Sequence, residues 1–523
     1  MSKNFMSAVK GTLNSEYNTS VTENGAVGYR TSGKELLDIN FAVASLRRAE
    51  PREIYDRFMR AFFEDKVTAM KWLFFARDVR GGLGERRLFR SVFERMAQSN
   101  PEYIIPLINL VPEYGRYDDL WSLLDTELAG KVMDLVKKQL EADVRAASKG
   151  DSISLLAKWL PSPNASSPKT KRYAKMIFKH IGISERDYRK TLSRLRKKLD
   201  VVERKMSART WDKIKYEAVP SRANLIYNAA FLRNDEERRR EFLASLEKGE
   251  AKINAGTLYP HDIVSKYTDG SSWKQSIKPL DKTLEALWKA LPDTVQGCGN
   301  TIVVADGSGS MTTNVGGTST TALDVANALA IYFAERSSGQ FKDQYITFSE
   351  QPQLVNLSKG KNLREKIQIA LGHSEVANTN IEAVFDLILS TAIANHMTQE
   401  DLPKNILIIS DMEFDSCATC GMSYNRNRYS YGRSRPDAKL FQVIAKKYAD
   451  AGYQIPRMVF WNVNSRTGTI PVIENDLGVA LVSGFSTNIV KMVMSGKTDP
   501  YECLLETLNS ERYAPIGEAL SYL

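Results

Sequence analysis

The chain has 523 residues, a hydrophobic fraction of 43% and a formal net charge of +10 at neutral pH. That length and apolar content supply about two to four domains with sizeable cores and exclude both a small disulfide scaffold and a disordered chain. No run of about 18 apolar residues occurs, and Met1-Ser2-Lys3-Asn4-Phe5-Met6 lacks the charged, then apolar, then small pattern of a signal peptide, so a soluble cytoplasmic protein without a membrane partner is expected.

Residues 1–33, rich in Gly, Ser, Asn and Thr, read as an extended leader. Residues 34–290 read as all-helical. Leu36, Leu37, Ile39, Phe41, Ala42 and Leu46 form one amphipathic stretch, Ile54, Phe58, Phe62 and Phe63 a second, and Met70, Leu73, Phe74 and Ala76 a third. Successive helices with short connections predict a helical-repeat, HEAT-like region, although no strict sequence period runs through it.

This half carries the positive charge: residues 291–523 sum to about −5 and residues 1–290 to about +15. Residues 169–215 hold 17 Lys or Arg against 5 Asp or Glu. Lys169, Lys171, Arg172, Arg186, Arg189, Lys190, Arg194, Arg196, Lys197, Lys198, Arg204 and Lys205 therefore form the expected footprint for a polyanion. Upstream, Arg77, Arg80, Arg86 and Arg87 flank the glycine turn Gly81-Gly82-Leu83-Gly84, a combination able to meet phosphate oxygens. A helix-to-helix turn with solvated arginines explains that segment better, and it lacks the Gly-Lys-Ser/Thr of a P-loop. Trp72, Phe74, Phe75, Trp159, Tyr173, Tyr188, Trp211, Tyr216 and Tyr227 interleave with the basic groups. They are able to stack unpaired bases, but Trp72 to Phe75 at helical spacing read as core.

From about residue 295 the pattern changes. The apolar run Thr301-Ile302-Val303-Val304-Ala305 leads into Asp306-Gly307-Ser308-Gly309-Ser310-Met311, which places Asp306, Ser308 and Ser310 at alternating positions just past a buried strand. One carboxylate and two hydroxyls are hard oxygen donors that suit Mg²⁺ or Mn²⁺ and leave coordination positions open. A helix over 321–335, a strand over 344–348, helices near 362–370 and 381–394, and the strand Ile406-Leu407-Ile408-Ile409 follow, the last ending in Ser410-Asp411. Alternating strands and helices predict a parallel sheet whose ligands bind at the carboxyl ends of the strands, where Asp306 and Asp411 both fall. Residues 458–463 and 479–484 supply two further strands.

On these motifs, residues 295–523 resemble a von Willebrand factor A domain with a metal-ion-dependent adhesion site. The resemblance implies that Thr379 and Asp411 join Asp306, Ser308 and Ser310 around Mg²⁺ or Mn²⁺. A basic helical half followed by such a domain resembles the Ro autoantigen (TROVE-domain) architecture, in which a ring of helical repeats binds RNA. The amino-terminal half resembles more closely a related family of the same plan, through Arg80-Gly81-Gly82, Ala157-Lys158-Trp159-Leu160-Pro161-Ser162, Ala230-Phe231-Leu232-Arg233 and Tyr259-Pro260-His261-Asp262.

The expected fold class is thus α plus α/β: helical repeats and then a doubly wound parallel sheet. The expected function is non-enzymatic binding of single-stranded or structured small RNA, with a protein partner supplying an acidic residue to the metal. A metal-dependent assembly scaffold without nucleic acid is the alternative. His180, His261, His373 and His396 form no ligand pair and flank no nucleophile, and His261 reads as a buried turn residue. Cys298, Cys417, Cys420 and Cys503 are expected to be free thiols, because Cys417-Ala-Thr-Cys420 has no second pair to complete a zinc set.

Overall fold

The computed structural model describes residues 17–268, 276–295, 300–316, 318–374, 378–416, 440–473, 477–493 and 497–523. The chain divides into two compact units. One comprises the described residues up to Glu50, Tyr259–Asp281 and Leu291–Thr507, and the other Pro51–Leu258, Lys282–Ala290 and Leu508–Leu523. These limits differ from the expected 1–33, 34–290 and 295–523. The described leader and the first helical stretch belong with the sheet, and the last residues belong with the helices.

The described part of the leader contains a hairpin: β1 (Thr19–Val21) pairs antiparallel with β2 (Val27–Tyr29), and Tyr29 bridges to Ile470 in the same unit. Helix α1 (Glu35–Phe41) buries Leu36, Leu37, Ile39 and Phe41 and packs against the last strand of the sheet.

The helical unit begins at Pro51, and its described residues contain no strand. Helix α2 (Pro51–Glu64) buries Ile54, Phe58, Ala61 and Phe62, the stripe its 3.6-residue period dictates. Helix α3 (Lys66–Arg77) starts where the Asp65 side chain accepts from Thr68 N at 2.9 Å and is buried on nearly every side, so it forms the centre of this unit. Helix α4 (Arg86–Ser99) packs on both. The turn before it requires glycine: a Cβ at Gly82 would stand 1.9 Å from the Phe75 carbonyl oxygen. Helices α5 (Ala129–Lys149), α6 (Pro168–Ile181) and α7 (Glu185–Lys198) pack together, and α8 (Ser221–Asn234) packs on α9 (Glu236–Glu247). Ser184 caps α7, whose buried residues are Tyr188, Leu192 and Leu195; apart from Thr191 and Ser193 the rest of its residues are charged.

The sheet unit resumes with α10 (Pro260–Tyr267), where His261 is buried, stacks on Tyr259 and meets Phe485 edge-on. Strand β3 (Thr301–Asp306) leads to α11 (Ala322–Arg336), capped by reciprocal Thr321–Asp324 hydrogen bonds at 3.0 Å and buried almost throughout. Then come β4 (Gln344–Phe348), β5 (Gln353–Asn356), α12 (Leu363–Gly372), α13 (Glu382–Ala394), β6 (Asn405–Ser410), α14 (Leu440–Asp450), β7 (Arg457–Asn462) and β8 (Val479–Ser483). The strand order is β5-β4-β3-β6-β7-β8, parallel except for the edge strand β5, which the alternation of the sequence did not predict. From β3 the chain winds first toward β4 and then, in the opposite direction, through β6 to β8. The order therefore reverses between β3 and β6, and the carboxyl ends of these two strands open the crevice where α/β sheets hold ligands. No described helix is long and apolar enough to cross a membrane.

Candidate functional site

Asp306 is the last residue of β3 and Asp411 the first after β6, so the crevice carries one buried carboxylate on each lip. Asp306 accepts from Ser308 N at 2.9 Å and from Ser410 Oγ at 2.6 Å. The Ser308 and Ser310 hydroxyls lie 3.1 Å apart, and Ser310 in turn hydrogen-bonds Asp411. Asp411 also accepts from Glu413 N at 3.2 Å and from Arg466 Nη2 at 3.4 Å. Between Asp411 and Glu413 the chain passes through Met412 at φ 64°, a left-handed conformation that costs a non-glycine residue energy and recurs at functional sites.

The electrostatics follow from this geometry. Burial pushes the Asp306 carboxyl above its ordinary range, against the pull of Ser308 and Ser410. Burial and the negative charge of Asp306 push Asp411 up to about 7, opposed by Ser310 and Arg466. Two buried carboxylates that repel each other are stabilised by a shared cation. The donor set here consists only of hard carboxylate and hydroxyl oxygens, which fits Mg²⁺ or Mn²⁺ and not the soft ligands of a zinc site. Among the described residues no three His, Cys, Asp or Glu side chains gather, so hydroxyls distinguish this crevice from a polycarboxylate or thiolate centre.

Of the five residues anticipated for the metal, Asp306, Ser308, Ser310 and Asp411 are linked directly through these bonds. Thr379 is buried and joins through its neighbours: its carbonyl accepts from Asp415 N at 3.0 Å and its hydroxyl from Asn24 Nδ2 at 3.2 Å. Asn24 also donates to the Glu413 carbonyl at 2.6 Å. The fully buried Glu413 carboxylate accepts from the backbone N–H groups of Glu23, Arg466 and Thr467 at 2.7–2.9 Å. Arg466 Nη2 reaches Glu23 at 2.6 Å as well as Asp411. Ser410, Glu413, Asn24 and Arg466 were not singled out from the sequence. The first two stand beside Asp411 and were within reach of it; the others come from distant segments and carry no local signal.

The helical unit sorts the basic residues into two classes. Arg77 is buried and clamps Asp119 at 2.7 Å, so it is structural and not available to RNA. Arg86 pairs with Asp118, Lys169 and Arg172 with Asp125, and Lys205 with Asp200. Lys198 donates to the Gly150 carbonyl, and Arg196 donates to the carbonyls of Ala157 and Leu160 and to Ser162 Oγ at 2.8–3.0 Å, a strut rather than a free cation. Arg80 and Arg87 are exposed. Lys171, Arg186, Arg189, Lys190, Arg194, Lys197 and Arg204 are exposed and form no ion pair among the described residues. Arg186, Arg189, Lys190 and Arg204 line a groove of about 1140 Å³ together with Trp159, Pro163, Glu185 and Glu203. The aromatic expectation narrows accordingly. Trp72, Phe74 and Phe75 are core, as expected, while Tyr173, Tyr188 and Tyr216 are also buried and cannot stack bases. Half-buried Trp159 keeps its place in the groove. Cys503 is a buried free thiol, and Cys298, Cys417 and Cys420 lie outside the described residues.

The fold and the two sites define a two-unit protein that couples a basic helical body to a mainly parallel sheet with a carboxylate and hydroxyl crevice. Residues 169–301 match a family model described as a domain of unknown function, DUF2828, and residues 300–512 match another, DUF7788. The first spans the basic run and the second all five crevice residues. Neither is a von Willebrand A or TROVE model. The chain is 30% identical to the uncharacterized protein L728 of Acanthamoeba polyphaga mimivirus, across 95% of this chain and 89% of the relative, and it belongs to the same family.

Proposed function

We propose that this chain is a non-enzymatic, cytoplasmic RNA-binding protein that resembles Ro ribonucleoproteins in plan, with HEAT-like helices able to close a ring. The observation that carries this reading is the α7 groove, lined by Trp159, by Glu185 and Glu203, and by Arg186, Arg189, Lys190 and Arg204, which form no ion pair among the described residues. Exposed cations beside a half-buried aromatic ring suit phosphates and bases. In the sheet unit, Asp306, Ser308, Ser310, Thr379 and Asp411 would hold Mg²⁺ or Mn²⁺ as in a von Willebrand A domain. The ion would supply a Lewis-acidic position for a carboxylate of a protein partner. Around it, Ser410 orients Asp306, Asn24 orients Thr379, and Glu413 holds the surrounding loops in place.

A second reading, a metal-dependent assembly scaffold without RNA, draws on the same crevice, because hydroxyl ligands leave the ion electrophilic and suited to capturing an acidic side chain. The ultraviolet absorbance ratio of gently purified protein separates the two. Co-purifying RNA, released by salt and lost in an Arg189→Gln, Lys190→Gln variant, supports the first reading. RNA-free protein that forms oligomers only with Mg²⁺ supports the second.

A further inference from the structure

Four guanidinium groups in the helical unit converge on two carboxylates. Arg77 and Arg90 approach Asp119 at 2.7 and 2.6 Å, while Arg86, Arg90 and Arg116 approach Asp118 at 2.7, 3.0 and 3.0 Å. Arg90 Nη2, Arg116 Nε and Asp118 Oδ1 are buried in this cluster and meet only as ion pairs at 3.0 Å, without a hydrogen bond of good geometry. Arg77 and Asp119 alone would clamp α3 to the 117–125 turn, so the clamp does not account for the further arginines.

Beside this cluster lies a cavity of about 780 Å³ lined by Arg86, Arg87, Arg90 and Arg95, with Glu94 as its single acidic residue. All five sit on one face of α4. A cleft lined by charge of one sign concentrates the field and draws in counter-ions, and the guanidinium fork matches phosphate oxygens two at a time. Burial pushes the Arg86 and Arg116 guanidiniums below their ordinary range, with neighbouring arginines adding to it and Asp118 and Asp119 opposing it.

The cavity is connected to the α7 groove through a chain of side chains. Arg86 and Arg90 share Asp118 with Arg116, and the Arg116 guanidinium stacks on the Trp159 ring at 4.1 Å. Trp159 lines the groove. We infer that the α4 cavity is a second phosphate seat, and that one RNA strand runs from the α7 groove past Trp159 and Arg116 into it. This rests on the RNA-binding reading above and adds to it a second site and a path between the two.

The test measures fluorescence anisotropy of the full chain with two single-stranded RNAs, one of about 6 nucleotides and one of about 30, across a salt series. Arg87→Gln, Arg95→Gln alters the cavity without touching the Asp118–Asp119 clamp, and Arg189→Gln, Lys190→Gln alters the groove; circular dichroism checks that both fold. The inference expects the cavity variant to bind the long RNA more weakly, with a salt slope shallower by about 0.7 for each phosphate no longer neutralised, and to bind the short RNA as the unaltered protein does. If only the groove variant changes long-RNA binding, the second seat is overturned while RNA binding stands. If the unaltered chain binds neither RNA, the RNA-binding reading fails and the seat fails with it.

Discussion

Ser410 donates its hydroxyl to Asp306 at 2.6 Å, so the last residue of β6 orients the carboxylate at the end of β3. The bond spans the point where the strand order reverses, and it ties the two lips of the crevice together before any ligand arrives. A metal that binds only the folded crevice stabilises the protein by mass action, about 2.7 kcal/mol at a hundred times its dissociation constant. Thermal melting with and without Mg²⁺ should therefore show a rise in the unaltered chain and none in Asp306→Ala. An equal rise in both would remove the crevice as the binding site.

Glu413 anchors three backbone N–H groups from two distant segments. Glu413→Ala leaves these donors buried without an acceptor and should destabilise the sheet unit by about 1–3 kcal/mol for each group that finds no water. It should also raise the Mg²⁺ concentration needed for half the thermal shift, since Glu23, next to Asn24, loses the carboxylate that holds its N–H. Denaturant unfolding together with the Mg²⁺ titration measures both effects.

Arg196 and Arg189 lie on the same helix but should behave oppositely. Arg196→Ala removes three hydrogen bonds to the 157–162 segment and should lower stability by roughly 1–3 kcal/mol. Arg189→Gln touches no partner and should leave stability within about 0.5 kcal/mol while weakening RNA binding. Urea melts of the two variants distinguish the strut from the free cation.

Asp119 gives the helical unit an acid limit. Burial raises its carboxyl, but Arg77 and Arg90 outweigh burial and hold it below its ordinary value of 3.8. The stabilisation is therefore present above pH 3.8 and disappears as pH falls through the lower folded value. Asp119→Asn should cost about 3–5 kcal/mol at neutral pH by leaving buried arginine unpaired, and should flatten the acid side of the stability profile. An unchanged acid profile would show that other carboxylates set the limit.

Gly82→Ala should destabilise the helical unit severely, because its Cβ would meet the Phe75 carbonyl oxygen at 1.9 Å and α3 and α4 would have to separate. A thermal melt of this single variant decides the point. Gly150→Ala, at the end of α5, meets no atom within 4 Å and would instead test the effect of a positive φ of 88°.

The apolar runs ending at Asp306 and Asp411 were readable as strands because a buried parallel strand must be apolar on both faces, and the carboxylates follow at the ends where ligands bind. The stripe of Ile54, Phe58 and Phe62 was readable for the equivalent helical reason. β5 escaped because its four residues, Gln353-Leu354-Val355-Asn356, form neither an apolar run nor a polar–apolar alternation. The basic residues of α7 were readable as charge but not as function, since sequence does not tell Arg196, spent on three acceptors, from Arg189, which forms no ion pair among the described residues.

Local periodicity and residue chemistry by themselves determined the helical body, the mainly parallel sheet and the positions of Asp306, Ser308, Ser310 and Asp411, because these depend on neighbours within a few residues. Tertiary structure alone decided that Asn24 bonds Thr379, that Arg466 faces Asp411, and which arginines stay unpaired. Those outcomes depend on the meeting of segments far apart in the chain, and they are set by the burial of polar groups that must find partners once water is excluded.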